Sequence, residues 1–389
     1  MQYRNFGKLN WQVSVLGFGC MRLPTLDGKA GNIDQEAATQ MIHRAIDGGV
    51  NYFDTAYVYH ELMSEVALGK ALEGGYRQRV RLATKLPVRL VNESADFDRM
   101  LNEQLKRLQT STIDFYLLHG LNRELWHKVQ ALDLLGWAEA ALADGRIRYL
   151  GFSFHDNLEV FKEIVNGYDR WTFCQIQYNY MDSDFQAGTQ GLQYAAAKGL
   201  GVVVMEPLRG GKLAIDLPAV HPIWESAAHK RKPADWALQW VWSQPEVSLA
   251  LSGMSSLEQV EENLVSADAS RIGLLNAEEL ELISRVRQTL KDLSPIPCTR
   301  CEYCLPCPNG VNIPLNFDIY NRVAMFNDLD HCRFEYQMWV PDDQKATCCI
   351  QCDECLPKCP QQIAISTWLP VAGDVLGNNG SYTRELSKD

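Results

Sequence analysis

Between residues 13 and 267 the chain alternates short, almost wholly apolar runs with longer stretches in which apolar residues recur every three or four positions. The runs are VSVLGFG (13–19), NYFD (51–54), VRLATK (80–85), IDFYLLH (113–119), IRYLGFS (147–153), FCQIQ (173–177), GVVVME (201–206) and VSLALSG (247–253). Between them, DQEAATQMIHRAIDGG (34–49) and DRMLNEQLKRLQ (98–109) carry the helical period. Continuous apolar runs, without the alternation of a half-exposed strand, predict strands covered on both faces. Eight such strands with intervening helices predict an α/β fold of the (β/α)8, or TIM, barrel type. A doubly wound sheet is the alternative. The eight repeats favour the barrel, and LGFG (16–19) lacks the remaining glycines of a dinucleotide-binding turn. Residues 1–12 predict a small hairpin turning at Gly7 to Asn10, closing the barrel floor.

A last helix is predicted over 276–293, and SPIP (294–297) ends it, because two prolines so close cannot continue a helix. The boundary of the barrel domain, 1–293, is placed there. Residues 294–370 form a second, small domain of different composition, whose middle, IPLNFDIYNRVAMFNDLDHCRFEYQMWV, reads as mainly helical. The tail 371–389, with Gly, Asn and Ser from Gly373 onward, reads as loop or disordered chain.

Lys and Arg total 37 against 48 Asp and Glu, a net charge of −11 over 389 residues. That balance argues against a general nucleic-acid binder, which needs clustered cations. No apolar run reaches membrane-spanning length, and MQYRNFGKLNWQ holds no signal-peptide core, so a soluble, cytoplasmic protein is expected.

In a barrel of this kind chemistry sits where strands end and loops begin. The second strand run ends at Asp54 and continues TAYVYH to include Tyr59; the third ends at Lys85 and the fourth at His119. Each alone reads equally as a charged loop residue, a surface lysine or a core histidine. Together they make chemical sense. A phenol titrates near pH 10, a neighbouring ammonium favours its phenolate, and a buried ammonium needs a carboxylate. Asp54 would hold Lys85, Lys85 would tune Tyr59, Tyr59 would donate a proton and His119 would polarise the acceptor oxygen.

FDTAYVY (53–59), ATK (83–85) and LLHG (117–120) resemble, in order and spacing, the tetrad segments of the aldo-keto reductases. The resemblance covers residues 1–290 and implies NAD(P)H-dependent reduction of an aldehyde or ketone, or the reverse oxidation of an alcohol. It makes Tyr59 the general acid/base, with Asp54, Lys85 and His119 in support. GFGCM (17–21) resembles the loop beneath the nicotinamide ribose, which brings in Gly19, Cys20 and Met21. GFS (151–153) resembles the segment whose serine, here Ser153, holds the carboxamide; Phe154 stands where asparagine is usual, with His155 or Asp156 as replacements. Gln175 matches the second carboxamide residue. In MEPLRGG (205–211), Met205 takes the place of a stacking aromatic and Pro207 follows; the backbone of Leu208, Arg209 and Gly211 suggests a pyrophosphate cradle. SGMSSLEQVEEN (252–263) resembles the adenosine segment, with Glu262 and Asn263 as adenine contacts. Ser255 and Ser256 suit either phosphate or a helix cap. Gly253 and Gln259 stand where NADP-preferring members carry basic residues, so NAD and NADP both remain open.

Ten of the twelve cysteines follow Ser294. Clustered cysteines behind a cysteine-poor region suggest a metal or cluster module rather than a disulfide scaffold. Cys349, Cys352, Cys355 and Cys359, before Pro360, have the spacing of the bacterial ferredoxin run; Cys298, Cys301, Cys304 and Cys307, before Pro308, depart by one residue. The eight resemble a two-cluster ferredoxin domain, which implies two [4Fe–4S] clusters. In the crossed pattern, Cys359 serves the first run and Cys307 the second. Zinc or a single cluster is the alternative. Cys332 and Cys348 read as spare residues.

Two functions follow. In one, a carbonyl reductase carries clusters for electron transfer. In the other, the cluster module is structural or docks a redox protein partner. Nicotinamide gives two electrons at once while each cluster takes one, and the sequence carries no signal for a flavin that would split the pair.

Overall fold

A computed structural model describes residues 1–298, 300, 303–359 and 361–382. Its strands are β1 (Tyr3–Asn5), β2 (Gln12–Ser14), β3 (Leu16–Gly19), β4 (Tyr52–Asp54), β5 (Arg81–Leu86), β6 (Ile113–Leu121), β7 (Ile147–Phe154), β8 (Phe173–Gln177), β9 (Gly201–Met205) and β10 (Leu249–Ser252). Strands β3 to β10 pair in parallel and in chain order, and β10 returns to β3 to close the barrel. All eight apolar runs lie on these strands, buried on both faces as continuous hydrophobicity requires. The helix Gln35–Asp47 shows why the intervening segments coil outside. Asp34 caps it by accepting from the Ala37 N–H, and Ala38, Met41, Ile42, Ala45 and Ile46 face inward.

The antiparallel hairpin β1–β2 delivers Phe6 into the barrel floor, among Val13, Tyr52, Phe115, Phe173, Val203 and Leu249. The turn needs its glycine: Gly7 has φ +53°, and a Cβ there would lie 2.4 Å from the Gly201 nitrogen. Gly7→Ala is therefore expected to lower the denaturation midpoint. The left-handed backbone alone costs about 1–2 kcal/mol, before any displacement of β9. A midpoint equal to that of the parent chain would show that the hairpin shifts freely.

The chain divides into two compact units. One comprises Met1–Ile215 and Arg231–Leu280; the other comprises Asp216–Lys230 and the described residues from Glu281 onward. In the second, helices Ile313–Phe326 and Leu329–Trp339 are separated by Asn327, left-handed at φ +51°. Phe317, Tyr320, Val323, Cys332, Tyr336, Leu369, Ala372, Val375 and Leu376 form its core. One expectation fails here. Residues from Gly373 do not begin a loop, because the helix Ile365–Gly377 runs through them. Its buried residues Leu369, Ala372, Val375 and Leu376 recur at helical steps, and packing of that stripe outweighs the composition that suggested a loop. Among the described residues no helix is long and apolar enough to cross a membrane.

Candidate active site and cluster centre

The C-terminal ends of β4, β5 and β6 bring Asp54, Lys85 and His119 together with Tyr59 from the loop after β4. Asp54 and Lys85 are 3% and 1% exposed. Lys85 is thus no surface lysine. Its Nζ donates to Asp54 Oδ1 at 2.6 Å, to the Thr55 carbonyl at 2.8 Å and to the Tyr59 hydroxyl at 3.3 Å. His119 stands edge-on to Tyr59, with ring centroids 6.0 Å apart.

The electrostatics follow from burial and one charge pair. Burial pushes the Lys85 ammonium towards deprotonation, but Asp54 and Tyr59 more than offset this and hold its pKa above the usual lysine value. Burial drives His119 well below 6.5, and Lys85 adds to the effect, so the ring is neutral near pH 7. For Tyr59 the sequence suggests a phenol made more acidic by Lys85. Lys85 does pull in that direction, but burial outweighs it, with Asp54 and Glu206 adding, and the net shift is upward. Glu206 was not singled out, although it ends the run GVVVME (201–206); its nearness to Tyr59 comes with closure of the barrel.

The other segments divide into two groups. Ser153 and Gln175 lie opposite each other on β7 and β8, and both are buried. Ser153 Oγ accepts the Gly120 N–H at 2.8 Å, leaving its own proton to donate. Gln175 Oε1 is buried without a hydrogen-bond partner. Gly19 ends β3 opposite Asp54; the Cys20 side chain is buried and its N–H donates to the Asp54 carbonyl at 2.8 Å. Met21 is 48% exposed, Met205 half-buried at the end of β9, and Pro207 buried.

Other residues are engaged elsewhere. Arg209, expected beside the pyrophosphate, is buried with Nε 3.1 Å from Asp182 Oδ2. The N–H groups of Arg209 and Gly211 close turns onto the Glu206 and Leu208 carbonyls, so the cradle expected from Leu208 to Gly211 does not present them to an anion. Its tight turns direct those donors inward. Ser256 Oγ caps the helix Leu257–Ala269 through the Gln259 N–H, and Gln259 Oε1 accepts the Ser255 N–H at 2.8 Å. Glu262 pairs with Lys232, and Asn263 Nδ2 donates to Ser252 Oγ at 2.9 Å.

Arg22 was not singled out by motif. Its aliphatic stem lies against Gly253, where a Cβ would meet Arg22 Cδ at 3.2 Å, and its guanidinium against Gly210, where a Cβ would meet Nη2 at 3.3 Å. A basic residue directly after GFGCM was the available signal.

In the second unit Cys307, Cys349, Cys352 and Cys355 line one pocket with Pro308, Ile350, Gln351 and Asp353. The Gln351 N–H points to Cys349 Sγ at 3.4 Å. Cys307 thus joins the distant run. Cys298, Cys304 and Cys359 border the same hydrophobic core, while Cys301 and Pro360 lie outside the described residues. Cys332 is fully buried, and Cys348 Sγ donates to the Asp342 carbonyl at 3.2 Å.

Comparison with known proteins agrees with both units. The model of the aldo/keto reductase family matches residues 15–287, and that of a 4Fe-4S dicluster domain matches 297–364. L-galactose dehydrogenase of Arabidopsis thaliana is 26% identical over 324 residues, covering 76% of this chain and 97% of its own. The uncharacterized oxidoreductase YqkF of Bacillus subtilis is 28% identical over 312 residues, covering 73% and 95%. Among solved structures, the holo form of aldo-keto reductase AKR11C1 from Bacillus halodurans superposes with a TM-score of 0.60 at 28% identity, covering 73% of this chain and 96% of that one. The thermostable aldo-keto reductase Tm1743 gives 0.61 at 25%, covering 73% and 99%. A closed barrel with buried polar groups at its strand ends, matched over most of its length by one family model, makes this chain an oxidoreductase of the aldo/keto reductase family that carries a C-terminal 4Fe-4S dicluster domain.

Proposed function

We propose that the barrel reduces an aldehyde or ketone at the expense of NAD(P)H, with Tyr59 as the proton donor. The observation that carries this reading is the chain Asp54–Lys85–Tyr59, in which a buried ion pair holds an ammonium 3.3 Å from a phenol. The residues fit a nicotinamide: Gln175 Oε1 is a buried acceptor without a partner, beside a Ser153 hydroxyl free to donate. Ser153 and Gln175 would hold the carboxamide and Arg22 the phosphates; the bound cofactor supplies the hydride. Neutral His119 donates a hydrogen bond to the substrate oxygen without competing for the proton. Tyr59 gives that oxygen its proton, and Lys85 stabilises the phenolate left behind.

Titrating NADPH and NADH into the purified protein tests the cofactor. Both the choice between them and the role of Gln175 are read from the dissociation constants. Gln175→Leu is expected to weaken binding by about 1–3 kcal/mol, the cost of an unpaired buried amide. Binding of neither nucleotide would overturn the reading.

The pH dependence has a definite sign. Reduction needs Tyr59 protonated, and burial raises its pKa above 10. The rate is therefore expected to stay flat through neutrality and to fall only at alkaline pH. Nor should it change near 6.5, because His119 is held neutral. A reduction rate that falls with a pKa near 7 would contradict the assignment.

For the second unit, the reading is two [4Fe–4S] clusters in the crossed arrangement, which supply one-electron transfer. Cys307, Cys349, Cys352 and Cys355 would hold one, and Cys298, Cys301, Cys304 and Cys359 the other. Exposed Cys352 and Ile350, 69% exposed on the same pocket, favour exchange with a one-electron redox partner over a purely structural role. Anaerobically prepared protein is expected to carry about eight irons, four per cluster. Stoichiometric zinc without acid-labile sulfide would sink this reading. The clusters are not expected to bleach on adding NAD(P)H alone, since a hydride carries two electrons; bleaching would show a splitter within the chain.

A further inference from the structure

We infer that His60 is a positioning residue for Tyr59: its imidazole latches the turn that follows the tyrosine onto the loop after β3, and so fixes where the phenol lies. The inference rests on the reading of Tyr59 as proton donor.

Residues His60, Glu61 and Leu62 have φ of +50°, +51° and +74°, and none is glycine. Left-handed backbone is unfavourable for each of them, and three in succession persist only where the surroundings impose the conformation. The turn is closed by the Met63 N–H on the His60 carbonyl at 2.9 Å and the Ser64 N–H on the Tyr59 carbonyl at 3.3 Å. These bonds shape the turn without tying it to the rest of the barrel. The imidazole does that. The Leu23 N–H donates to His60 Nε2 at 3.1 Å, so Nε2 carries the lone pair. Nδ1 lies 2.8 Å from the Ala30 carbonyl and so carries the proton. One neutral tautomer satisfies both partners.

Leu23 and Ala30 both belong to the loop between β3 and the helix Gln35–Asp47. That loop is joined to the Tyr59 loop at two further points. Ser64 Oγ donates to the Cys20 carbonyl at 2.8 Å. Glu61 packs on Gly31, where a Cβ would lie 2.5 Å from its Oε2. Tyr59 directly precedes the latched His60, and its carbonyl accepts the N–H of Ser64, the residue that makes the Cys20 join. The Tyr59 hydroxyl is 3.3 Å from Lys85 Nζ, the long end of a hydrogen bond, so a small drift of the turn breaks that contact. The charged and titratable groups facing the phenol are Lys85 from β5, Asp54 from β4, His119 from β6 and Glu206 after β9.

The test compares His60→Gly, His60→Gln and Tyr59→Phe in the full chain with its clusters. Glycine accepts the left-handed backbone but has no ring, so it separates backbone strain from the latch. His60→Gly is expected to lower kcat about ten- to hundredfold, the scale of a misplaced catalytic group, with the KM for the carbonyl within about threefold of the parent on that same argument. The alkaline limb of the rate should move upward, because the phenol leaves the field of Lys85. Glutamine, which restores an acceptor for Leu23, should recover part of kcat. If the glycine variant does not fold, His60→Asn keeps a donor for Ala30 at the Nδ1 position, but its shorter side chain brings no acceptor out to the Nε2 position that serves Leu23, and it should show the same fall in kcat at unchanged KM. Parental kcat in His60→Gly overturns the latch. So does a joint loss of kcat, KM and thermal stability that glutamine does not relieve, which marks a merely structural residue. Parental turnover in Tyr59→Phe would instead overturn the proton-donor reading on which the latch depends.

Discussion

Tyr59→Phe is expected to cut carbonyl reduction by about 10²–10⁴-fold, the usual worth of general acid catalysis, while leaving NAD(P)H affinity unchanged. The substitution is well suited to the question. It removes the hydroxyl 3.3 Å from Lys85 but keeps the ring, over which Lys85 Nζ lies 4.7 Å from the centroid and against which His119 stands edge-on. The fold therefore has little reason to change. Lys85→Met would be a poorer probe, since it strands the buried Asp54 carboxylate and would cost about 3–5 kcal/mol of stability. Steady-state kinetics against any accepted aldehyde, beside a nucleotide titration, decide the matter. Turnover within a few-fold of the parent would take the proton-donor role away from Tyr59.

The second large effect concerns the clusters. Cys307→Ala is expected to damage the cluster of Cys349, Cys352 and Cys355 and to spare that of Cys298, Cys301 and Cys304, with the loss of about half the iron. The motive is that Cys307 shares a pocket with the three distant cysteines, although it lies only three residues after Cys304. The gap of two residues before Cys307, one shorter than in the second run, raises the possibility of local ligation; the pocket that Cys307 shares with the other run supports the crossed one. Electron paramagnetic resonance of the reduced protein, with Cys301→Ala and Cys352→Ala as references, separates the outcomes. Loss of the same signal in Cys307→Ala and Cys301→Ala would make ligation local.

Much of the candidate site was legible because its residues stand at or just beyond strand ends. Asp54, Lys85 and His119 each terminate an apolar run, and closure of the barrel brings three successive strand ends together with Tyr59. The direction of the Tyr59 shift was not legible. It depends on how far burial outweighs Lys85, and burial is a property of the packed molecule. The contact of Arg209 with Asp182 was not legible for a related reason: Asp182 follows a different strand, β8, and no pattern in the chain shows that the two meet. Arg22 was passed over because its relevance comes from lying between Gly210 and Gly253, far away in the chain.

The eight strands, the barrel they form, Asp54, Lys85 and His119 at strand ends with Tyr59 just beyond, and the cysteine spacing of the second unit are all legible in consecutive residues. These are local properties: hydrophobic period, turn residues and motif spacing are written in consecutive positions. Packing, by contrast, is what continues the helix through Gly373 to Gly377, sets Arg209 against Asp182, and places Cys307 in one pocket with the second cysteine run. It also joins the His60 imidazole, in a run of three left-handed residues, to Leu23 and Ala30. Each of these depends on which distant groups share a buried space, where an unpaired charge or an empty contact is costly. That competition is settled between segments far apart in the chain, so no single stretch of sequence records its outcome.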